Sequence, residues 1–326
     1  MEGPAAESLP DVGEPPPAMA IRPSSPSAAA GIAPATRPAL GYLRRPRRRW
    51  LPLALFIATC GSTFWAGATQ WEPTRYWGDW SSAGRIVDVN WRQGLAYMTA
   101  VIGILLTHEM GHFLQTVRYH VPASFPWFLP MPVLMTGTMG AVIGMEGSRA
   151  DRKQLFDIGI SGPWAGLLVA LPVAAWGILV ADRRPHSIAD LLYDPLIFRL
   201  LQDWLRPDLP AGAVLAKNPL LMAGWVGMLV TGLNMLPISQ LDGGHVVYGL
   251  FGRRGRWIPR AFACAAIATI VFGELFHLTL ILVLVILMGI DHPPTRDDRV
   301  RLGFWRQVLG AVSLGIPILC FTPVIV

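Results

Sequence analysis

Residues 104–116 read ILLTHEMGHFLQT, an apolar run with His108, Glu109 and His112 at its centre. Ionisable groups at bilayer depth cost several kcal/mol each, so a sequence that keeps three together does so for a function. HEMGH sets two imidazoles at i and i+4, stacked on one helical face. Their nitrogens can share one ion at about 2 Å from each. Glu109, one position on, flanks that ion and can take a proton from water, so it is the candidate general base.

A catalytic zinc site needs a third protein ligand and an open fourth position. The metzincin spacing would put a histidine at position 118, but the residue there is Arg118, so the ligand must come from farther along. Asp242 in NMLPISQLDGGH (234–245) is the best candidate, because Gly243 and Gly244 behind it permit close backbone approach. The alternative for Asp242 is a helix cap before residues 243–252. Glu274 and His277 form a rival E-x-x-H pair, better read as an interhelical contact because a two-metal site needs more carboxylates. His120, His186 and His292 read as ordinary loop histidines, and His245 as a neighbour of the metal.

The composition sets the surroundings. The chain has 326 residues, 52% hydrophobic and 15% charged, with a net charge of +6. Ordinary soluble domains carry about 25% charged residues. The arginines cluster at the edges of apolar runs, which fits membrane topology and excludes a nucleic-acid binder. Apolar runs at about 51–68, 94–117, 158–181, 219–236, 258–290 and 303–326 give about six spans, with 258–290 either one helix or two. The expected fold is an all-α polytopic membrane protein with a small membrane-embedded β-hairpin.

Arg44 to Arg49, RRPRRR apart from Pro46, precede the first span and put the N-terminus in the cytoplasm. That orientation makes 69–93 and 182–217 outside segments, and the His/Glu cluster and Asp242 both fall near cytoplasmic ends of spans. Residues 1–49 are Pro/Ala/Arg-rich and expected to be disordered, leaving 50–326 as the membrane domain. They lack the features of a signal or transit peptide, and with the Ala/Pro/Arg-rich composition this suggests a bacterial plasma membrane. Cys60, Cys264 and Cys320 show no metal-site spacing and read as small core residues.

With these motifs in order, the sequence resembles the site-2 protease family of intramembrane zinc metalloproteases. The resemblance rests on HEMGH, on NMLPISQLDGGH, on GISGPWAGLLVA at 159–170 and on MTGTMGAVIGMEGSRADRK at 135–153. The last looks like the Gly-rich membrane hairpin of the plastid-type branch and its bacterial relatives. It covers about 94–252, the catalytic core, with a weaker echo in DHPPT at 291–295. It implies one zinc ion held by His108, His112 and Asp242, with Glu109 as general base and acid. It also implies that Asn234 orients the substrate backbone or the oxyanion, and that Gly137, Thr138 and Gly140 hold the substrate. The implied substrates are single-span membrane proteins cut within the bilayer. The insert at 182–217 is too short for the PDZ domain that many relatives carry.

Overall fold

The computed structural model describes Gly3 and residues 50–184, 195–210, 214–238, 240–272 and 292–321. The described part is mostly helical. Helix α1 (Trp50–Ala68) coincides with the first apolar run, and α2 (Trp80–Arg118) contains the second. Residues 80–93, read from sequence as loop, form the first part of α2. Asp79 caps it by accepting from the Ser82 amide, and the helix bends at Asn90, whose side chain donates to the Ala68 carbonyl at 3.1 Å.

Helix α3 (Arg152–Leu179) opens on a capping box: the Asp151 carboxylate accepts from the Gln154 amide, and the Gln154 side chain accepts from the Asp151 amide. A short antiparallel pair, β3 (Arg183–Arg184) and β4 (Val214–Leu215), encloses helix α4 (Leu196–Leu205) in the insert. Helix α5 (Pro219–Asn234) is capped by Asn218, whose side chain also donates to the Gly177 carbonyl at 2.8 Å. Then come α6 (Asp242–Phe251), α7 (Trp257–Phe272), α8 (Phe304–Ser313) and α9 (Ile316–Cys320).

Among the described residues, three stretches are long and apolar enough to cross a membrane: Trp50–Ala68, Arg152–Leu179 and Asp242–Phe272. The expectation of about six is met only in part. Helix α2 has the length, but His108, Glu109 and their polar neighbours dilute its hydropathy. Helix α5 is apolar but shorter than a bilayer crossing. The third stretch is not straight. Gly252 turns the chain at φ +56° between α6 and α7, a left-handed conformation that glycine adopts without steric cost. Whether 258–290 is one helix or two depends on 273–291, which lie outside the described residues, as do 1–49 apart from Gly3.

Helix α2 is the central element, packed against α1, α3 and α5, while α3 also packs on α5 and α6. Tyr97, Leu105, Phe156, Ala170 and Met228 fill the core between them. The hairpin pairs β1 (Trp127–Pro130) with β2 (Thr138–Val142), antiparallel, with Phe128 opposite Ala141 and an irregularity before Pro130. Ser62 donates to the Gly137 carbonyl at 2.6 Å and Tyr97 to the Thr136 carbonyl at 3.0 Å, so the hairpin is seated on α1 and α2. Of the cysteines, Cys320 is buried and Cys60 half-buried, but Cys264 is exposed, contrary to its reading as a core residue.

Candidate metal centre

His108, Glu109 and His112 lie in the later half of α2, all buried. Asp242 is the first residue of α6 and its side chain caps nothing, which removes the helix-cap alternative. Instead its two carboxylate oxygens face the two imidazoles: Oδ2 lies 3.2 Å from His108 Nε2, and Oδ1 lies 3.2 Å from His112 Nε2. One donor atom from each residue falls within 4.8 Å of the other two. Two imidazoles and a carboxylate converging in this way are the protein ligands of a catalytic zinc site, so these residues fit the ion.

The histidines are held from behind. His112 Nδ1 lies 2.7 Å from the Ile158 carbonyl of α3, so this nitrogen donates and Nε2 keeps its lone pair turned toward Asp242. Helix α3 can come this close because it presents glycines. A methyl group built on Gly162 would stand 2.0 Å from His112 Nε2, and one on Gly166 would stand 2.9 Å from His108 Nδ1. GISGPWAG therefore reads as the wall of the histidine pocket.

Asp242 is held through its helix. The guanidinium of Arg152, at the start of α3, donates to the carbonyls of Gly249 and Leu250, both at 2.7 Å, and so closes the C-terminus of α6. On α3, Asp157 takes a bidentate contact from Arg306 of α8 at 2.7 and 3.0 Å and accepts from the Tyr119 hydroxyl. These anchors, Arg152, Asp157 and Ile158, went unrecognised in the sequence. Two of them are side chains that act through backbone carbonyls or another helix, and no motif spacing announces such partners.

Asn234 ends α5 with its side-chain nitrogen 3.3 Å from His108 Nε2, beside the donor atoms themselves. Gly137, Thr138 and Gly140 lie on the hairpin. Thr138 is buried and donates to the Leu129 carbonyl at 2.9 Å. A methyl group on Gly140 would stand 3.5 Å from Val230, one helical turn before Asn234 on α5, so β2 approaches the metal centre through that helix. Strand β1 was not foreseen, because the Pro-rich stretch around Pro126 and Pro130 carries a weak strand signal.

One histidine corrects the reading from sequence. His292 is not an ordinary surface residue. It is half-buried, its Nε2 lies 2.7 Å from His245 Nδ1, and its ring stacks on Tyr248 with centroids 4.5 Å apart. His245 takes this partner and also interacts electrostatically with Asp242 and His112. His120 is exposed, as expected. His186, Glu274 and His277 lie outside the described residues.

Comparison with known proteins places these features in a family. The family model described as "Peptidase family M50" matches residues 96–278, more than half of the chain. A protein of Arabidopsis thaliana named "Probable zinc metalloprotease EGY1, chloroplastic" is 33% identical over 238 residues, 71% of this chain and 42% of its own length. The rice protein of the same name is 31% identical over 233 residues, 68% of this chain and 39% of its own. A rice protein named "Probable zinc metalloprotease EGY3, chloroplastic" is 28% identical over 247 residues. The chain thus spans about two fifths of the length of the curated relatives it matches. No solved structure matches. With 96–278 matched end to end, from the middle of α2 past the aspartate that opens α6, the chain belongs to peptidase family M50, the site-2 protease family.

Proposed function

We propose that the protein is a zinc endopeptidase that hydrolyses peptide bonds within or near transmembrane segments of single-span membrane proteins, as a step in regulated intramembrane proteolysis. One observation carries this reading: His108, His112 and Asp242 converge from two separate helices, with the buried Glu109 beside them, in a bundle with three stretches long and apolar enough to cross a membrane among the described residues. The Arabidopsis and rice relatives named as probable zinc metalloproteases agree with it.

In this reading His108, His112 and Asp242 hold one zinc ion. Bound zinc supplies Lewis acidity, acidifying water and polarising a carbonyl. Glu109 accepts the proton of the attacking water and returns it to the departing amine. A carboxylate so placed contributes about 10²–10⁴-fold. Asn234, at the rim of the donor cluster, is positioned to orient the substrate backbone or the oxyanion.

The substrate must unwind first. A peptide unwound in lipid leaves bare amides that cost several kcal/mol each. The hairpin can supply their partners by strand addition, with Gly137, Thr138 and Gly140 along β2. Support comes from the seat of β2, between Ser62 and Tyr97 on one side and Val230 on the other, and from Met139 and Val142, which are exposed along it. The arginine clusters favour an N-terminus on the cytoplasmic side, with the metal centre near that face. Composition favours a bacterial plasma membrane, although the matched relatives are chloroplastic plant proteins.

The test is E109Q in a reconstituted assay with a single-span substrate. Turnover should fall by about 10²-fold or more while bound zinc stays at one per chain. Undiminished cleavage would remove Glu109 from its role. A wild type that binds zinc and cuts no membrane-embedded substrate would make the protein a scaffold.

A further inference from the structure

Helix α8 lies beyond residues 96–278, so the family match does not cover it. It packs on α6 and lies over the joint between α6 and α3. A methyl group on Gly310 would stand 2.8 Å from Phe156 of α3 and 3.0 Å from Leu250 of α6. Near the start of α8, Arg306 reaches the Asp157 carboxylate with two guanidinium nitrogens, at 2.7 and 3.0 Å. Farther along, Ser313 accepts from the Trp164 indole at 2.9 Å. Asp157 also accepts from the hydroxyl of Tyr119, the residue that closes α2. Three helices therefore meet on one carboxylate: the end of α2, the first turns of α3 and the start of α8.

The next residue is Ile158, whose carbonyl accepts from His112 Nδ1 at 2.7 Å and from the Ser161 hydroxyl at 2.8 Å. Neighbouring residues of a helix move together, because each advances only about 1.5 Å along the axis. A slide of α3 by about 1 Å would carry that carbonyl out of hydrogen-bonding range of His112. The bridge to α8 opposes the slide. The Asp157 side chain is only 14% exposed, and the guanidinium fork grips both its oxygens, which fixes direction as well as distance. We propose that Arg306 is a positioning residue of the metal centre: through Asp157 it holds the Ile158 carbonyl that directs His112. It acts at one remove, on the carbonyl rather than on the ion or the substrate. Such a role rests on the reading of His112 as a zinc ligand.

The experiment measures zinc affinity of the full chain in detergent by competition with a chelator, alongside the visible spectrum of the cobalt-substituted protein and the thermal midpoint. R306Q should bind zinc about tenfold more weakly, the lower end of the ~10–100-fold loss typical when a metal-bound histidine loses its partner, and should alter the cobalt bands. R306K keeps the charge but not the fork and should recover part of both. S313A removes another bond between α8 and α3, and should lower the thermal midpoint while leaving zinc affinity and cobalt bands unchanged. R306Q/D157N should lose no more affinity than R306Q, because the two residues form one unit. A lowered midpoint in R306Q with wild-type affinity and spectrum would overturn the positioning role, and so would an equal loss of affinity in S313A. If R306Q does not fold, judged by its helical circular dichroism, Y119F serves. It removes one hydrogen bond to Asp157 and should weaken zinc binding about threefold, and unchanged affinity there counts against the role. A wild type that binds no zinc would overturn the metal-centre reading itself, a failure distinct from a wild type that binds zinc no more tightly than R306Q.

Discussion

At position 162 a methyl group would stand 2.0 Å from His112 Nε2, while at position 103 it would meet nothing within 4 Å. Both glycines lie inside apolar helices, so intrinsic helix propensity alone would favour alanine at each by about 0.5–1 kcal/mol. Surroundings reverse the sign at one of them. G162A forces α3 away from α2 at an overpacking cost of about 1–3 kcal/mol. The movement also pulls the Ile158 carbonyl from His112 Nδ1, and loss of such a supporting contact typically costs about 10–100-fold in metal affinity. Zinc titration of the purified variants should therefore show weakened binding for G162A and unchanged binding for G103A. Equal affinities would mean that α3 does not shape the histidine pocket.

Among the elements, the β1–β2 hairpin depends on how it is seated on the helices. Gly137 holds φ +72°, and a methyl group there would lie 2.6 Å from the Ser62 carbonyl of α1. G137A thus meets both left-handed strain of about 1–2 kcal/mol and a backbone clash. It should lower the thermal midpoint, and in the cleavage assay raise KM more than it lowers kcat, since the metal centre is untouched. S62A removes the hydroxyl that donates to the Gly137 carbonyl at 2.6 Å and also reaches the Thr59 carbonyl at 3.2 Å, worth about 1 kcal/mol, and should have a smaller effect in the same direction. A G137A enzyme with unaltered KM and a depressed kcat would argue that the hairpin supports the chemistry rather than substrate pairing. The segment 292–299 is a second seated element. Arg296 donates its amide to the Ala150 carbonyl, and the Tyr248 hydroxyl donates to Asp298. Although burial acts to raise the Asp298 pKa, contacts from Thr295, Tyr248 and Arg253 hold it below the usual carboxylate value.

For the whole molecule, orientation is the property that decides which compartment supplies water and receives product. In the topology proposed from the arginines at 253, 254, 256 and 260 and those at 44–49, both regions lie on the same side. In a background with Cys60, Cys264 and Cys320 replaced by alanine, R254C and G84C are both exposed positions for labelling. A membrane-impermeant maleimide should label G84C in intact cells, and R254C only in inverted vesicles. Labelling of both from one side would overturn the assigned topology.

The linear pattern was enough for the donors and for most helices. Three ionisable residues in an oily run, a helical spacing of four and an aspartate before two glycines are local features, and each follows from the cost of burying charge or from helix geometry. The ends of α1 and α5 were legible for the same reason, since hydropathy changes sharply there. The first part of α2 was not, because residues 80–93 have no long apolar run and carry Gly84, a poor helix former. Strand β1 was hidden by its prolines, and His292 looked like a loop residue until the chain folded back to set it against His245 and Tyr248. What only the tertiary structure decided is how the donors meet: glycines on α3 admit the imidazoles, Ile158 turns one of them, and Arg152 fixes the helix that brings Asp242. Those contacts join residues far apart in the chain through backbone carbonyls and absent side chains. A one-dimensional pattern does not encode such partners, because any residue has a carbonyl and any glycine can leave a gap.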